Sequence, residues 1–244
     1  MFKQNIIFDL DDTLIHCNKY FHAVIDAFSE KVSEWFSNHN LSIEEVKKKQ
    51  EEIDILGVTH HGFAAEHFKD SLIKTYVYFS EKFGREINEE EQLWIRALGK
   101  SAYEQNFEPY PFMMDILQAL EKADHNLYLY TGGNSETQKK KIDIVGVEAF
   151  FKDRIYITPH KNTDVLESII EKEKLNKKDT WMIGNSMKSD IMPAIKAGIN
   201  AVFIPGIYHW EYDNVKLQDE HKEAFITVNS LEELKGLFLQ EEAV

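Results

Sequence analysis

The chain opens on a short apolar run, Asn5-Ile6-Ile7-Phe8, that meets an acidic cluster, Asp9-Leu10-Asp11-Asp12-Thr13. A run of this length with a polar exit predicts a buried parallel strand ending in a loop. From about Tyr20 to about Phe107 the apolar positions change to helical spacing. They are Phe21, Val24, Ile25, Phe28, Val32, Trp35 and Phe36, then Phe68, Leu72, Ile73, Tyr76 and Phe79, then Leu93, Trp94, Ala97 and Leu98. The stretch has no strand alternation and no proline. It predicts an insertion of about four or five helices whose Trp and Phe stripes form core. His60-His61-Gly62-Phe63 breaks the pattern and reads as a turn between helices, with a substrate loop as the alternative.

After Pro109 and Pro111 strands and helices alternate. A helix over 112–122 leads to the strand Leu127–Tyr130, which ends at Thr131-Gly132-Gly133-Asn134. A helix starts near Glu136, followed by the strand Arg154–Ile157 and a helix from Thr163. Next come the strand Thr180–Ile183, the loop Gly184-Asn185-Ser186, a helix over 191–197 and the strand Ala201–Ile204. Ile226-Thr227-Val228 reads as an edge strand and 231–239 as a closing helix. The rhythm predicts an α/β fold, a doubly wound parallel sheet with an inserted all-helical domain. The expected boundaries are 1–16 with 109–244 for the core and 17–108 for the insertion.

Composition narrows the picture. At 244 residues, 43% hydrophobic and 29% charged, the chain can bury a sizeable core and is not disordered. No apolar run approaches the roughly 20 residues that span a bilayer, and the first residues are too polar for a signal peptide, so a cytoplasmic protein is expected. One cysteine, Cys17, excludes an intrachain disulfide framework and reads as a small semi-buried thiol. A net charge of −14 argues against nucleic-acid and membrane partners. The lysine runs at 47–49 and 139–141 read as solvated helix faces.

Four candidate elements fall at the carboxyl ends of predicted strands, where open α/β sheets bind ligands. Asp9 and Asp11 lie two residues apart and point the same way, so they repel unless a cation is shared. That cost makes sense where one carboxylate attacks and the other exchanges a proton. Thr131, with Gly132 and Gly133, offers a hydroxyl and backbone N–H groups at a helix start. Lys161 lies between a strand and a helix. Asn185 and Asp190 place hard oxygens, suited to Mg²⁺, around another junction. The plainer alternatives are an acidic turn, helix caps and a surface lysine. Tyr208-His209-Trp210-Glu211 either packs the core edge or borders the site.

Phe8-Asp9-Leu10-Asp11-Asp12-Thr13-Leu14 resembles the first motif, DxDxT, of the haloacid dehalogenase-like (HAD) hydrolases. Thr131 matches the second motif, Lys161 the third, and Gly184-Asn185 through Asp190 the fourth, GDxxxxD. The helical insertion resembles that superfamily's C1-type cap. Three departures stand out: Asp12 where Gly is frequent, no proline after Lys161, and Asn185 where an Asp usually ligates magnesium.

The resemblance implies a Mg²⁺-dependent phosphomonoesterase acting on a small phosphorylated metabolite. Asp9 would be the nucleophile and Asp11 the acid/base, with Thr13 orienting Asp11. Thr131, Lys161 and the N–H groups of Leu10, Asp11 and Gly132 would bind phosphate. Asp9, the Asp11 carbonyl, and Asn185 or Asp190 would hold the metal, bound more weakly than by the Asp form. The cap would close over the site and choose the substrate. A phosphomutase, a dehalogenase and a weakly active ligand-binding relative remain alternatives. The expected state is a monomer or homodimer.

Overall fold

A computed structural model describes residues 2–63, 65–208, 210–213, 215 and 224–239. In chain order, β1 (Asn5–Phe8) is followed by four helices, α1 (Asn18–Trp35), α2 (Ile43–His61), α3 (Ala65–Phe83) and α4 (Glu89–Ser101). Then come α5 (Met113–Lys122), β2 (Asn126–Gly132), α6 (Ser135–Val145), α7 (Glu148–Phe151), β3 (Ile155–Thr158) and α8 (Thr163–Lys172). The chain continues through β4 (Thr180–Gly184), α9 (Met192–Ala197), β5 (Asn200–Phe203), β6 (Ile226–Thr227) and α10 (Leu234–Phe238). It divides into two units, one of Met1–Cys17 with Phe107–Val244, the other of Asn18–Asn106.

The first unit is built on a six-stranded sheet of order β3-β2-β1-β4-β5-β6, every pairing parallel. Ile6, Ile7 and Phe8 are fully buried, as a strand covered on both faces requires. On one side Ile7, Tyr130 and Met182 pack with Leu166, Ile169, Ile191 and Ala194. β1 lies between β2 and β4, with Phe8 level with Leu129 and Ile183. The strand order reverses at β1, so its carboxyl end opens onto the crevice where such sheets hold ligands. Asp9 is the first residue past that end.

Several boundaries differ from the sequence expectation. β2 runs on through Thr131 and Gly132, which pair with Ile157 and Thr158, so Thr131 is a strand residue and not a loop residue. After β4 the chain makes a single π-type turn, Met187–Ile191, before α9. Ser186 caps that turn by accepting from the Ser189 N–H at 3.0 Å. The closing helix is a 3₁₀ turn, Leu231–Glu233, followed by the short α10.

The second unit is all helical. Phe28, Val32, Phe36, Leu72, Tyr76, Phe79 and Ile95 form its core. α2 is capped by a reciprocal pair, the Ser42 hydroxyl accepting from the Glu45 N–H and the Glu45 carboxylate accepting from the Ser42 N–H. Its inner face buries Gln50 and Asp54 among the apolar residues, which hides its periodicity in the sequence. His60 and His61 belong to α2, and the turn begins at Gly62, whose N–H donates to the Val58 carbonyl. The expected stripe on α4 is one face out of place. Leu93 is 67% exposed, and the buried residues are Ile95 and Gly99. Trp94 is held edge-on against Trp35 near the surface. Among the described residues no helix is long and apolar enough to cross a membrane.

Candidate active site

Asp9 is 5% exposed. The Lys161 ammonium donates to its Oδ1 at 2.6 Å, and the Thr13 hydroxyl to its Oδ2 at 3.0 Å. Burial pushes the Asp9 carboxyl up to about 7; Lys161 pulls it back, and Asp190 raises it again. Burial opposes the charge on Lys161, but Asp190 and Asp9 outweigh it and hold its pKa above the ordinary lysine value. Lys161 also pairs with Asp190 Oδ1 and lies over the Tyr130 ring. The other Asp190 oxygen accepts the Ser186 N–H at 3.0 Å. A Cβ at residue 184 would sit 2.2 Å from that oxygen, so the close approach requires glycine.

Asp11 is anchored by residues the sequence reading passed over. Lys141 Nζ donates to both of its oxygens at 2.8 Å, and Gln138 Nε2 to Oδ2 at 2.9 Å. Lys141 is 3% exposed, so the lysine run at 139–141 is not wholly a solvated face; its third member points inward. The signal available was spacing alone, since 138 and 141 share the face of α6 that follows Thr131. Gln138 also donates to Thr131 Oγ1 at 2.6 Å. Gly133, at φ +146°, lets the chain pass the Gln138 side chain, which a Cβ would approach to 3.0 Å. Thr13 does not orient Asp11 as expected; its hydroxyl serves Asp9 and lies 3.2 Å from Asn185 Oδ1.

Asn185 faces oxygens. The inward atom of its amide lies 3.1 Å from the Asp11 carbonyl, 3.2 Å from Thr13 Oγ1 and 3.3 Å from Asp9 Oδ2. Turned one way, the amide nitrogen faces all three as acceptors for its two hydrogens. Turned the other way, the amide oxygen, the Asp11 carbonyl and the Asp9 carboxylate converge, and only a cation between them relieves their repulsion. That donor set suits a hard cation such as Mg²⁺. Among the described residues no three His, Cys, Asp or Glu side chains form a cation site, so the carbonyl and the amide are needed. Asp190, the other expected ligand, has both oxygens engaged by Lys161 and the Ser186 N–H. Asp12 adopts φ +58°, a left-handed conformation that accounts for glycine being frequent there, and its carboxylate accepts the Cys17 N–H at 3.2 Å. Cys17 is buried, and burial pushes its thiol up, away from nucleophilic use.

No described backbone carbonyl accepts from the N–H groups of Leu10 and Asp11. Gly132 closes β2 beside Thr158. The segment after β5 borders the loop 185–190: Ser186 donates to Asp213, and the Lys188 ammonium lies 3.5 Å from the Tyr212 ring centre. Trp210 stacks on Tyr212. His209 lies outside the described residues. The site therefore joins a nucleophile candidate, an anchored second carboxylate, a buried ammonium and a cation-shaped oxygen cluster at one strand end.

A family model described as haloacid dehalogenase-like hydrolase matches residues 3–198. A search of curated proteins returns no match. Among solved structures, a haloacid dehalogenase-like family hydrolase from Xanthomonas campestris is 22% identical, with TM-score 0.79, covering 96% of this chain and 94% of that one. The HAD-hydrolase YfnB from Bacillus subtilis, bound to magnesium, is 19% identical with TM-score 0.63, covering 98% and 100%. A predicted phosphoglycolate phosphatase from Haemophilus somnus is 18% identical with TM-score 0.63, covering 96% and 97%. Other structures of this likeness include both phosphatases and dehalogenases.

Proposed function

The chain belongs to the haloacid dehalogenase-like hydrolases, and from that premise we propose that it is a magnesium-dependent phosphomonoesterase acting in the cytoplasm on a small phosphorylated metabolite. The observation that carries this reading is the second carboxylate. Asp11 stands two residues from Asp9 and is held by Lys141 and Gln138. Attack on carbon with loss of halide needs no such group, whereas a phosphomonoester needs a proton for its leaving alcohol.

Asp9 attacks phosphorus in line, and the P–O bond to the alcohol breaks. Asp11 gives its proton to the departing oxygen. It then takes a proton from the water that attacks phosphorus in the aspartyl-phosphate, releasing phosphate and restoring Asp9. Thr131, Lys161 and the N–H groups of Leu10, Asp11 and Gly132 bind the phosphoryl oxygens. Thr13 holds Asp9 Oδ2, and Lys161 offsets the charge on Asp9. Asp9, the Asp11 carbonyl and the Asn185 amide oxygen would hold Mg²⁺, which when bound stabilises the charge that grows on the phosphoryl oxygens. Asp190 serves by anchoring Lys161.

Purified protein with Mg²⁺ is expected to hydrolyse p-nitrophenyl phosphate or members of a metabolite-phosphate panel, and Asp9→Asn is expected to be inactive. Turnover by Asp9→Asn at the wild-type rate would end the covalent reading.

A further inference from the structure

We infer that Lys141 and Gln138 are positioning residues that act through Asp11 and Thr131; this rests on the phosphatase reading above. Lys141 has three N–H donors. Two meet the Asp11 oxygens at 2.8 Å, and Cys17 Sγ lies 3.3 Å from the same nitrogen. The Phe107 ring covers the ammonium at 4.9 Å. With its donors taken and only 3% of its surface exposed, Lys141 has nothing left to offer a phosphate. It differs in this from Lys161, which sits on the nucleophile itself. What Lys141 does, it does by holding Asp11.

Gln138 is equally saturated. Its two amide hydrogens go to Asp11 Oδ2 and Thr131 Oγ1. Because Thr131 accepts from Gln138, its own proton is free to donate, and the phosphoryl group is the acceptor the mechanism supplies. One amide thus sets the direction of the phosphate-binding hydroxyl and the place of the acid/base. The device solves a local problem. Asp11 beside Asp9 is repelled by it, and an unanchored carboxylate, a quarter exposed, would turn to solvent. An ammonium buried this deeply is costly unless well paired, and the pairing places it one residue from the proton that must move.

The test is a double-mutant cycle on the full chain with Mg²⁺ and the best substrate from the phosphate panel. Lys141→Met is expected to lower kcat about 100-fold, within the range that general acid–base catalysis contributes, with KM changed less than about threefold. Asp11→Asn is expected to lose at least as much. The double variant is expected to be no slower than Asp11→Asn alone, because residues acting as a unit are not additive. Residues that contribute independently would give multiplying losses, and a merely structural pair would not confine the loss to kcat. Gln138→Leu is read in the same way and stands in if Lys141→Met does not fold. Folded variants that keep more than a third of wild-type kcat, or a double variant slower than either single one in proportion, overturn the inference while leaving the phosphatase reading intact. A wild-type protein inactive on the whole panel overturns the reading and the inference with it.

Discussion

In the proposed mechanism Asn185 is the residue on which cation affinity turns. An amide oxygen coordinates Mg²⁺ but brings no charge, so Asn185→Asp is expected to tighten Mg²⁺ binding about tenfold or more, measured by calorimetry on the otherwise wild-type chain. The same change should lower the melting temperature of the metal-free protein, because the amide that can donate to Asp9 and the Asp11 carbonyl becomes a third negative group. Equal affinities in the two forms would remove Asn185 from the cation site. Asp9 carries its own pH signature. Its folded pKa, about 7, lies above the unfolded value of about 4. The protonated carboxyl therefore contributes stability that is full below the unfolded value and is lost as pH rises through the folded one. Without metal, the melting temperature is expected to fall between about pH 4 and pH 7, and Asp9→Asn, which stays neutral, should flatten the profile. An unchanged slope in that variant would place the titration elsewhere.

At the scale of elements, the join between α3 and α4 is a closed polar network. Tyr76 is fully buried; its hydroxyl donates to Glu91 at 2.6 Å and accepts the Asn88 N–H at 2.9 Å, while Arg85 grips both Glu91 oxygens. Tyr76→Phe leaves the Asn88 N–H without its acceptor and is expected to cost about 1–3 kcal/mol in denaturant unfolding. A change within error would mean that water replaces the hydroxyl freely. The strands were the most legible part of the chain, because a short apolar run meeting a polar loop has one simple reading, although β2 runs on through Thr131 and Gly132. β1 ends where its pattern ends, at Phe8. Helix faces were less legible. In α4 the apolar residues Leu93, Trp94 and Ile95 are consecutive, so Leu93 and Trp94 suggested a stripe that burial assigns to Ile95 and Gly99. Lys141 was marked only by its spacing from Gln138 on α6, because its partner lies 130 residues away. The Asp11–Lys141 pair exists only once β1 and β2 are neighbours.

Across the whole molecule, charge opposes the proposed substrate. The chain carries −14, and at the site Asp9, Asp11 and Asp190 meet two ammonium groups, Lys141 and Lys161. A divalent cation, as proposed, would add positive charge where an anionic substrate must bind. The remaining field repels a phosphate dianion on approach, so kcat/KM is expected to rise with ionic strength as salt screens it, measured at fixed free Mg²⁺. A fall would show that local positive groups dominate encounter. Covalent attack by Asp9 is tested most directly by acid-quenching the protein during turnover and mapping the phosphoryl group by mass spectrometry. The mechanism predicts a phosphorylated peptide containing Asp9, lost in Asp9→Asn. Steady turnover with no phosphoryl group on that peptide would contradict it.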